Sequence, residues 1–318
     1  MSNLERPDFI ITIRSAGERT ERICYQTVQK QAPAAEIVII HKKPFKKALE
    51  ECFKKGIQSS KKWLITVDAD MILFPGAIDL LLREAEKMPP HYLQLQGKIL
   101  DKITGNIRKA GPRIYRVSSL PMLLKKSKSL EDHIRPESRI ISEFANDGKP
   151  SRYIAVVTCL HDYEQYFKDV YRKAYVHAVK HPEFLPKMIE ESSERQVEDY
   201  DYKVILKALW DGLTDNAKIS IDTRLFTDSS KEALEYLQLE EKKELGGELT
   251  IKNFVKTGNY VCPNEVLKEN KFNYHDQPKQ SIGTVKRIKN SVIRRGLYNS
   301  LRRYAGNILI STGKRIHG

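Results

Sequence analysis

Three short β-branched runs near the start, each followed by a helix-forming stretch, constrain the fold more than any other feature. They are Phe9–Ile13 (FIITI), Glu36–Ile40 (EIVII) and Trp63–Val67 (WLITV). Each run is apolar at nearly every position, as a strand covered on both faces must be. Between the first two, the polar segment Arg14–Glu21 leads into a helical stretch with Ile23, Thr27 and Val28 at helical spacing. Phe45, Leu49, Cys52 and Phe53 then mark one face of a second helix, which Gly56 can close. Pro75 and Gly76 precede a third helix with Ile78, Leu81, Leu82 and Ala85 on its apolar face. Strand and helix in alternation predict an α/β fold, a mainly parallel sheet flanked by helices. Ligands of such sheets collect at the carboxyl ends of the strands.

Beyond residue 90 the pattern loosens. Tyr92–Leu95, Arg113–Val117 and Tyr153–Leu160 read as strands, while Glu137–Asn146, Asp162–Lys180 and residues 187–213 read as helices. Residues 1–213 are expected to form the main domain, 214–278 a mixed extension, and 279–318 a basic helical tail. The chain is 40% hydrophobic, enough for a core and too much for wholesale disorder. Cys24, Cys52, Cys159 and Cys262 show no C-x-x-C spacing, so neither a disulfide framework nor a zinc knuckle is expected. MSNLERPDF lacks a basic-then-apolar plan, and no apolar run nears the ~20 residues of a membrane span. A cytoplasmic location is the expectation.

Asp68-Ala69-Asp70 ends the third strand. Two carboxylates delivered to the carboxyl edge of a sheet suit a hard divalent cation, Mg²⁺ or Mn²⁺, which in turn can bridge to substrate phosphates. The plainer alternative is a surface turn whose acids cap the next helix.

With these residues in view, the chain resembles a known family. FIITIRS, EIVII and KKALEECFKKGIQSSKKWLITVDADMILFPGAIDLLL look like the nucleotide-sugar half of a GT-A (Rossmann-like) glycosyltransferase, nearest the family 2 type. The resemblance is good over residues 8–90 and looser to about 165. It implies that Asp68 and Asp70 hold a divalent cation against the diphosphate of a sugar donor. It places Thr12, Arg14, Arg19 and Lys43 beside that donor, and likens Ala110-Gly111-Pro112-Arg113 to the family's glycine loop near the donor sugar. A plain Gly-Pro turn explains that segment equally. Leu130-Glu131-Asp132 resembles the x-E-D motif, whose acid deprotonates the acceptor hydroxyl in inverting members; the same acids could simply start the helix after Pro136. A competing match is Val197-Glu198-Asp199. His161, after the strand Tyr153–Leu160, resembles the family's metal-ligating histidine, although a strand-end histidine can equally be a hydrogen-bonded surface residue. His177 and His181 share a helix face with no glutamate between them, which suits a solvated surface. Many relatives carry an aspartate near the second strand to read uracil, and His41-Lys42-Lys43 here puts UDP in doubt.

Lys plus Arg total 55 against 41 Asp plus Glu, a net charge of +14. Residues 279–318 contain ten Lys or Arg and no acid, so the other 278 residues share only +4. Ile282, Val285, Ile288, Val292, Leu297, Leu301, Tyr304 and Ile308 recur among those charges at roughly helical period. A basic amphipathic helix suits an anionic membrane surface. A helix packed on the body and a phosphate-binding nucleic-acid arm are alternatives, and no nucleic acid is expected.

The resemblance thus implies a glycosyltransferase that moves a sugar from a nucleotide-sugar donor to a hydroxyl of a glycan or lipid-linked acceptor. Inversion at the anomeric carbon and a role in surface polysaccharide synthesis are the further expectations. Two other readings compete. A haloacid-dehalogenase-like phosphatase also uses D-x-D, but on its first strand and with Thr or Val where this chain has Ile72. A non-enzymatic basic membrane- or nucleic-acid-binding protein would need only the tail.

Overall fold

The computed structural model describes residues 7–130, 135–215 and 223–246. They fall into two compact units, one of residues up to 166 together with 242–246, the other of residues 167–241.

The first unit is an eight-stranded sheet with helices. In chain order it runs β1 (Phe9–Arg14), α1 (Glu21–Gln31), β2 (Glu36–Ile40), α2 (Phe45–Gln58), β3 (Trp63–Asp68), β4 (Met71–Leu73) and α3 (Ala77–Glu86), then β5 (Gln94–Asp101), β6 (Asn106–Arg108), β7 (Arg113–Arg116), α4 (Leu120–Ser129), α5 (Pro136–Asn146) and β8 (Ser151–His161). The strand order is β2-β1-β3-β7-β5-β8-β4, with β6 beside β5. β1 pairs in parallel with β2 and β3, and β5 with β8. β7 is antiparallel to both β3 and β5, so β2, β1, β3, β5 and β8 all point the same way. The expected mainly parallel sheet is present, and β7, β4 and β6 are its reversed strands.

Successive side chains of a strand face opposite sides, which gives this sheet two cores. Ile11, Ile13, Ile65 and Val67 pack with Cys24 and Val28 of α1 and with Ile78, Leu81 and Ala85 of α3. Ile10, Leu64 and Tyr115 pack with Leu49 and Phe53 of α2, Leu120 and Leu123 of α4, and Ile140 of α5. Burial of this kind contributes about 25 cal/mol per Å² of apolar surface, and it explains why the strands lack the polar alternation of a one-sided sheet.

The second unit is helical: α6 (Phe167–Lys180), α7 (Leu185–Arg195), α8 (Tyr200–Thr214) and α9 (Thr227–Tyr236). A Cβ on Gly212 of α8 would lie 2.7 Å from the Tyr175 carbonyl oxygen, so glycine is what lets α6 and α8 meet backbone to backbone. Tyr171 and Tyr175 of α6 donate hydrogen bonds to Asp211 and Asp215 at 2.8 and 2.6 Å.

Four details differ from the sequence reading. The helix expected from Asp162 begins at Phe167, because Asp162 and Glu164 have φ of 64° and 55°, in the left-handed region that a helix excludes. The stretch 187–213 is two helices, broken where the Asp199 carboxylate accepts from the Asp201 N–H at 2.9 Å and caps α8. The strand expected at Tyr92–Leu95 runs over Gln94–Asp101. Leu120–Ser129, for which no element was expected, is helical, with Leu120 and Leu123 carried into the second core. Most of 214–278 and all of the tail 279–318 lie outside the described residues.

Candidate cation and donor site

The site is assembled from strand ends. Arg14, Asp68, Asp101 and His161 are the last residues of β1, β3, β5 and β8, four strands of one direction. The register sets Arg14 opposite Asp68 and Asp101 opposite His161. Asp70 follows β3 by two positions, and Met71 at the start of β4 pairs back with His161. Residues scattered over nearly 150 positions thus meet along one carboxyl edge.

One half of that edge is a buried ion network. Arg14 donates to both oxygens of Asp68, from Nε at 2.7 Å and Nη2 at 3.1 Å, and from Nη1 to Glu137 at 3.1 Å. Arg113 reaches the same Glu137 oxygen at 2.7 Å, and the Tyr115 hydroxyl donates to the other at 2.7 Å. Burial works against ionisation of Glu137, but Arg113, Arg14 and the Tyr115 hydrogen bond prevail and hold its carboxyl below the usual range. Burial likewise opposes the charge on Arg14, and Asp68 with Glu137 more than restores it. Two guanidiniums face two carboxylates, so the network is neutral and its charges are matched, as buried charges must be.

The other half is acidic. His161 Nε2 lies 3.6 Å from Asp70 Oδ2, while Nδ1 lies 2.9 Å from Asp101 Oδ2 and 3.0 Å from Asp162 Oδ2. Arg108 of β6 pairs with Asp101. Three carboxylates, Asp70, Asp101 and Asp162, thus gather around one imidazole. Burial lowers the affinity of His161 for a proton, yet Asp162, Asp70 and Asp101 together lift its pKa to about 10.

Asp70, His161 and Asp162 each offer an atom within 4.8 Å of the others. An ion with bonds of about 2.0–2.6 Å can span such a set. Two carboxylates and an imidazole also suit Mn²⁺ or Mg²⁺ rather than a thiophilic metal. Backbone and side chain fix the triad. The Asp162 N–H donates to the Asp70 carbonyl at 3.2 Å. Buried Gln165 donates to Thr20 Oγ1 at 2.7 Å, and that hydroxyl donates to the Ala69 carbonyl at 2.8 Å, between the two aspartates of the motif.

The other residues singled out from sequence are placed as follows. Asp68 is not in the ligand triad; its carboxylate is held by Arg14. Thr12 is buried inside the sheet, its hydroxyl 3.5 Å from the Ile65 carbonyl. Arg19 donates to the carbonyls of Lys243 and Glu164 and to the Glu164 carboxylate, at 2.7–3.1 Å. Lys43 is exposed on the loop after β2. Gly111 is buried against β5, where a Cβ would come within 2.8 Å of the Gly97 carbonyl carbon. Glu131 and Asp132 lie outside the described residues. Asp162 and Asp101 are the additions: Asp162 is the sequence neighbour of His161, whereas nothing local marks Asp101 at the end of its strand.

No protein-family model matches the chain, and no curated protein matches it. Solved structures do. A mannosyltransferase from Pyrobaculum calidifontis in complex with GDP-Man and Mn²⁺ is 10% identical, with 93% of this chain and 88% of that one covered and a TM-score of 0.39. A glycosyltransferase involved in glycosylation of the major capsid of PBCV-1 is 15% identical over 49% of this chain and 83% of that one, at a TM-score of 0.33. A 4-diphosphocytidyl-2C-methyl-D-erythritol synthase from Anaerococcus prevotii is 12% identical over 49% and 91%, at 0.35.

Proposed function

We propose that this chain is a divalent-cation-dependent glycosyltransferase that uses a nucleotide-sugar donor. The observation that carries the reading is the convergence of Asp70, His161 and Asp162 into one ligand set at the carboxyl edge of four like-directed strands, beside an arginine–carboxylate network. A packing role does not call for three acids and an imidazole gathered there.

Asp70, Asp162 and His161 Nε2 would hold Mn²⁺ or Mg²⁺. Such an ion supplies Lewis-acid stabilisation of a diphosphate leaving group. Asp68, gripped by Arg14 through both oxygens, is kept in one orientation, and with 28% of its side chain exposed it would accept from donor hydroxyls. The acceptor hydroxyl attacks the anomeric carbon and gives its proton to a carboxylate, which we assign to Glu131 or Asp132. Of the competing pair Glu198 and Asp199, Asp199 caps α8. Inversion, a glycan or lipid-linked acceptor in surface polysaccharide synthesis, and peripheral membrane attachment through 279–318 complete the proposal. Among the described residues no helix is long and apolar enough to cross a membrane.

The phosphatase reading fares worse. Its nucleophile would be Asp68, yet that residue ends the third strand of the chain rather than the first, and Ile72 stands where Thr or Val is expected. The proposal is tested by nucleoside diphosphate release from a panel of nucleotide sugars with and without Mn²⁺. Asp70→Asn is expected to lower the divalent-dependent rate by about 10²-fold or more, the usual scale for losing one electrostatic contact to the reacting charge. Unchanged turnover in that variant would overturn the assignment.

A further inference from the structure

We propose that Asp101 is a positioning residue for the cation site: anchored by Arg108 and Thr104, it holds the His161 ring with Nδ1 turned inward and Nε2 directed at the ion. The inference rests on the cation reading above and adds a residue that neither the D-x-D motif nor the family resemblance singles out.

Asp101 is fully buried at the end of β5, in register with His161 across the parallel β5–β8 pair. Its Oδ1 accepts from the Thr104 N–H and from the Thr104 hydroxyl, both at 2.8 Å. Its Oδ2 accepts from Arg108 Nε at 2.9 Å and from Arg108 Nη2, and His161 Nδ1 stands 2.9 Å from that same oxygen. A carboxylate offers about four lone-pair sites, and five donors converge on this one. No lone pair remains directed at an ion, so Asp101 can orient a ligand but cannot be one. Asp162 differs: it also approaches Nδ1, yet its oxygen falls within ligand reach of Asp70 and His161. Of the two acids at Nδ1, Asp101 is the one anchored by Thr104 and Arg108, and Asp162 is the one that belongs to the set able to hold an ion.

The β5–β6 hairpin exists in a form that serves this arrangement. Its turn begins at Asp101, Thr104 closes it onto the carboxylate, and β6 folds back so that Arg108 returns to the same side chain. When Nδ1–H is donated to a carboxylate, the lone pair of a neutral imidazole sits on Nε2, where a metal can take it, and the ring's angle is set as well. Partners of this kind are worth about 10- to 100-fold in metal affinity.

The test uses the full chain and Mn²⁺ alone, titrated by electron paramagnetic resonance, on wild type, Asp101→Ala, Arg108→Met, Arg108→Lys and His161→Ala. The Mg²⁺-loaded proteins are examined by ¹⁵N-edited NMR of the His161 ring. Asp101→Ala is expected to weaken Mn²⁺ binding about 10- to 100-fold and to lose the slowly exchanging Nδ1–H signal. Arg108→Met should give a smaller loss, and Arg108→Lys should recover most of it, which a general packing defect would not do. Folded Asp101→Ala with wild-type affinity and an unaltered ring signal would overturn the inference and leave the cation site standing. If Asp101→Ala fails to fold, Arg108→Met decides, and wild-type affinity there overturns it. Should wild type and His161→Ala both ignore Mn²⁺, the cation reading itself falls, and this inference with it.

Discussion

Glu137 shows how one buried side chain can hold a site without touching its ligand. It joins Arg14 to Arg113 and so keeps the grip on Asp68 in place. Glu137→Gln leaves two buried guanidiniums short of a counter-charge, and removing one partner of such a pair costs about 3–5 kcal/mol. Urea unfolding at neutral pH should reveal that loss. The pH dependence has a defined sign. The folded-state pKa of Glu137 lies below its usual value. Its contribution is therefore complete above the unfolded carboxyl pKa of about 4.3. It disappears as pH falls through the lower folded value. The stability gap between wild type and Glu137→Gln should accordingly be widest above about pH 5 and narrow in acid; a gap independent of pH would contradict the network. Asp68, Asp70 and His161 were legible because each sits beside an apolar strand that announces itself. Glu137 was not, because a glutamate opening a helix after Pro136 is equally explained by the helix dipole.

At the level of elements, the segment leading into β7 lies against β5 at Gly97 only because residue 111 is a glycine. A Cβ at Gly111 would meet the Gly97 carbonyl carbon at 2.8 Å and its oxygen at 2.9 Å, and backbone cannot swing aside as a side-chain tip can. Gly111→Ala should thus cost on the order of 1–3 kcal/mol and lower the thermal midpoint without any ligand present. A variant as stable as wild type would contradict the constraint read from this contact. Contrast Gly56 in α2, where the nearest atom to an added Cβ is Leu120 Cδ1, the far end of a side chain that can move. Element boundaries failed where the reason was not local. The loop 162–166 reads as a continuation of a helix, yet Asp162 takes a left-handed backbone that its hydrogen bond to Asp70 and its place beside His161 support. α4 buries Leu120, Leu123 and Ser127, three positions at helical spacing, against the core it covers.

For the molecule as a whole, charge is separated along the chain: ten cations and no acid in residues 279–318, near balance elsewhere. Each Lys or Arg near an anionic bilayer surface contributes about 1 kcal/mol. The full chain should therefore co-float with vesicles rich in anionic lipid and release as salt rises, while a chain ending at 278 stays behind and still binds nucleotide sugar with Mn²⁺. Flotation of the shortened chain to the same extent would remove the tail from that role, and retention of nucleic acid by the full chain would transfer it to another partner.

The sequence carried the first strands and helices in consecutive residues, because strands buried on both faces are apolar throughout and the helices over them bear an apolar stripe, but it did not mark the short β4 and β6. It also located the carboxyl edge and three acidic or imidazole groups on it. Strand pairing settles which of them come together. It divided the D-x-D pair, giving Asp68 to Arg14 and Asp70 to His161, and it supplied Asp162 and Asp101. Register accounts for this. Parallel pairing of β1 with β3 and of β5 with β8 brings together residues more than fifty positions apart, and partners so distant leave no spacing for a reader of the chain to find.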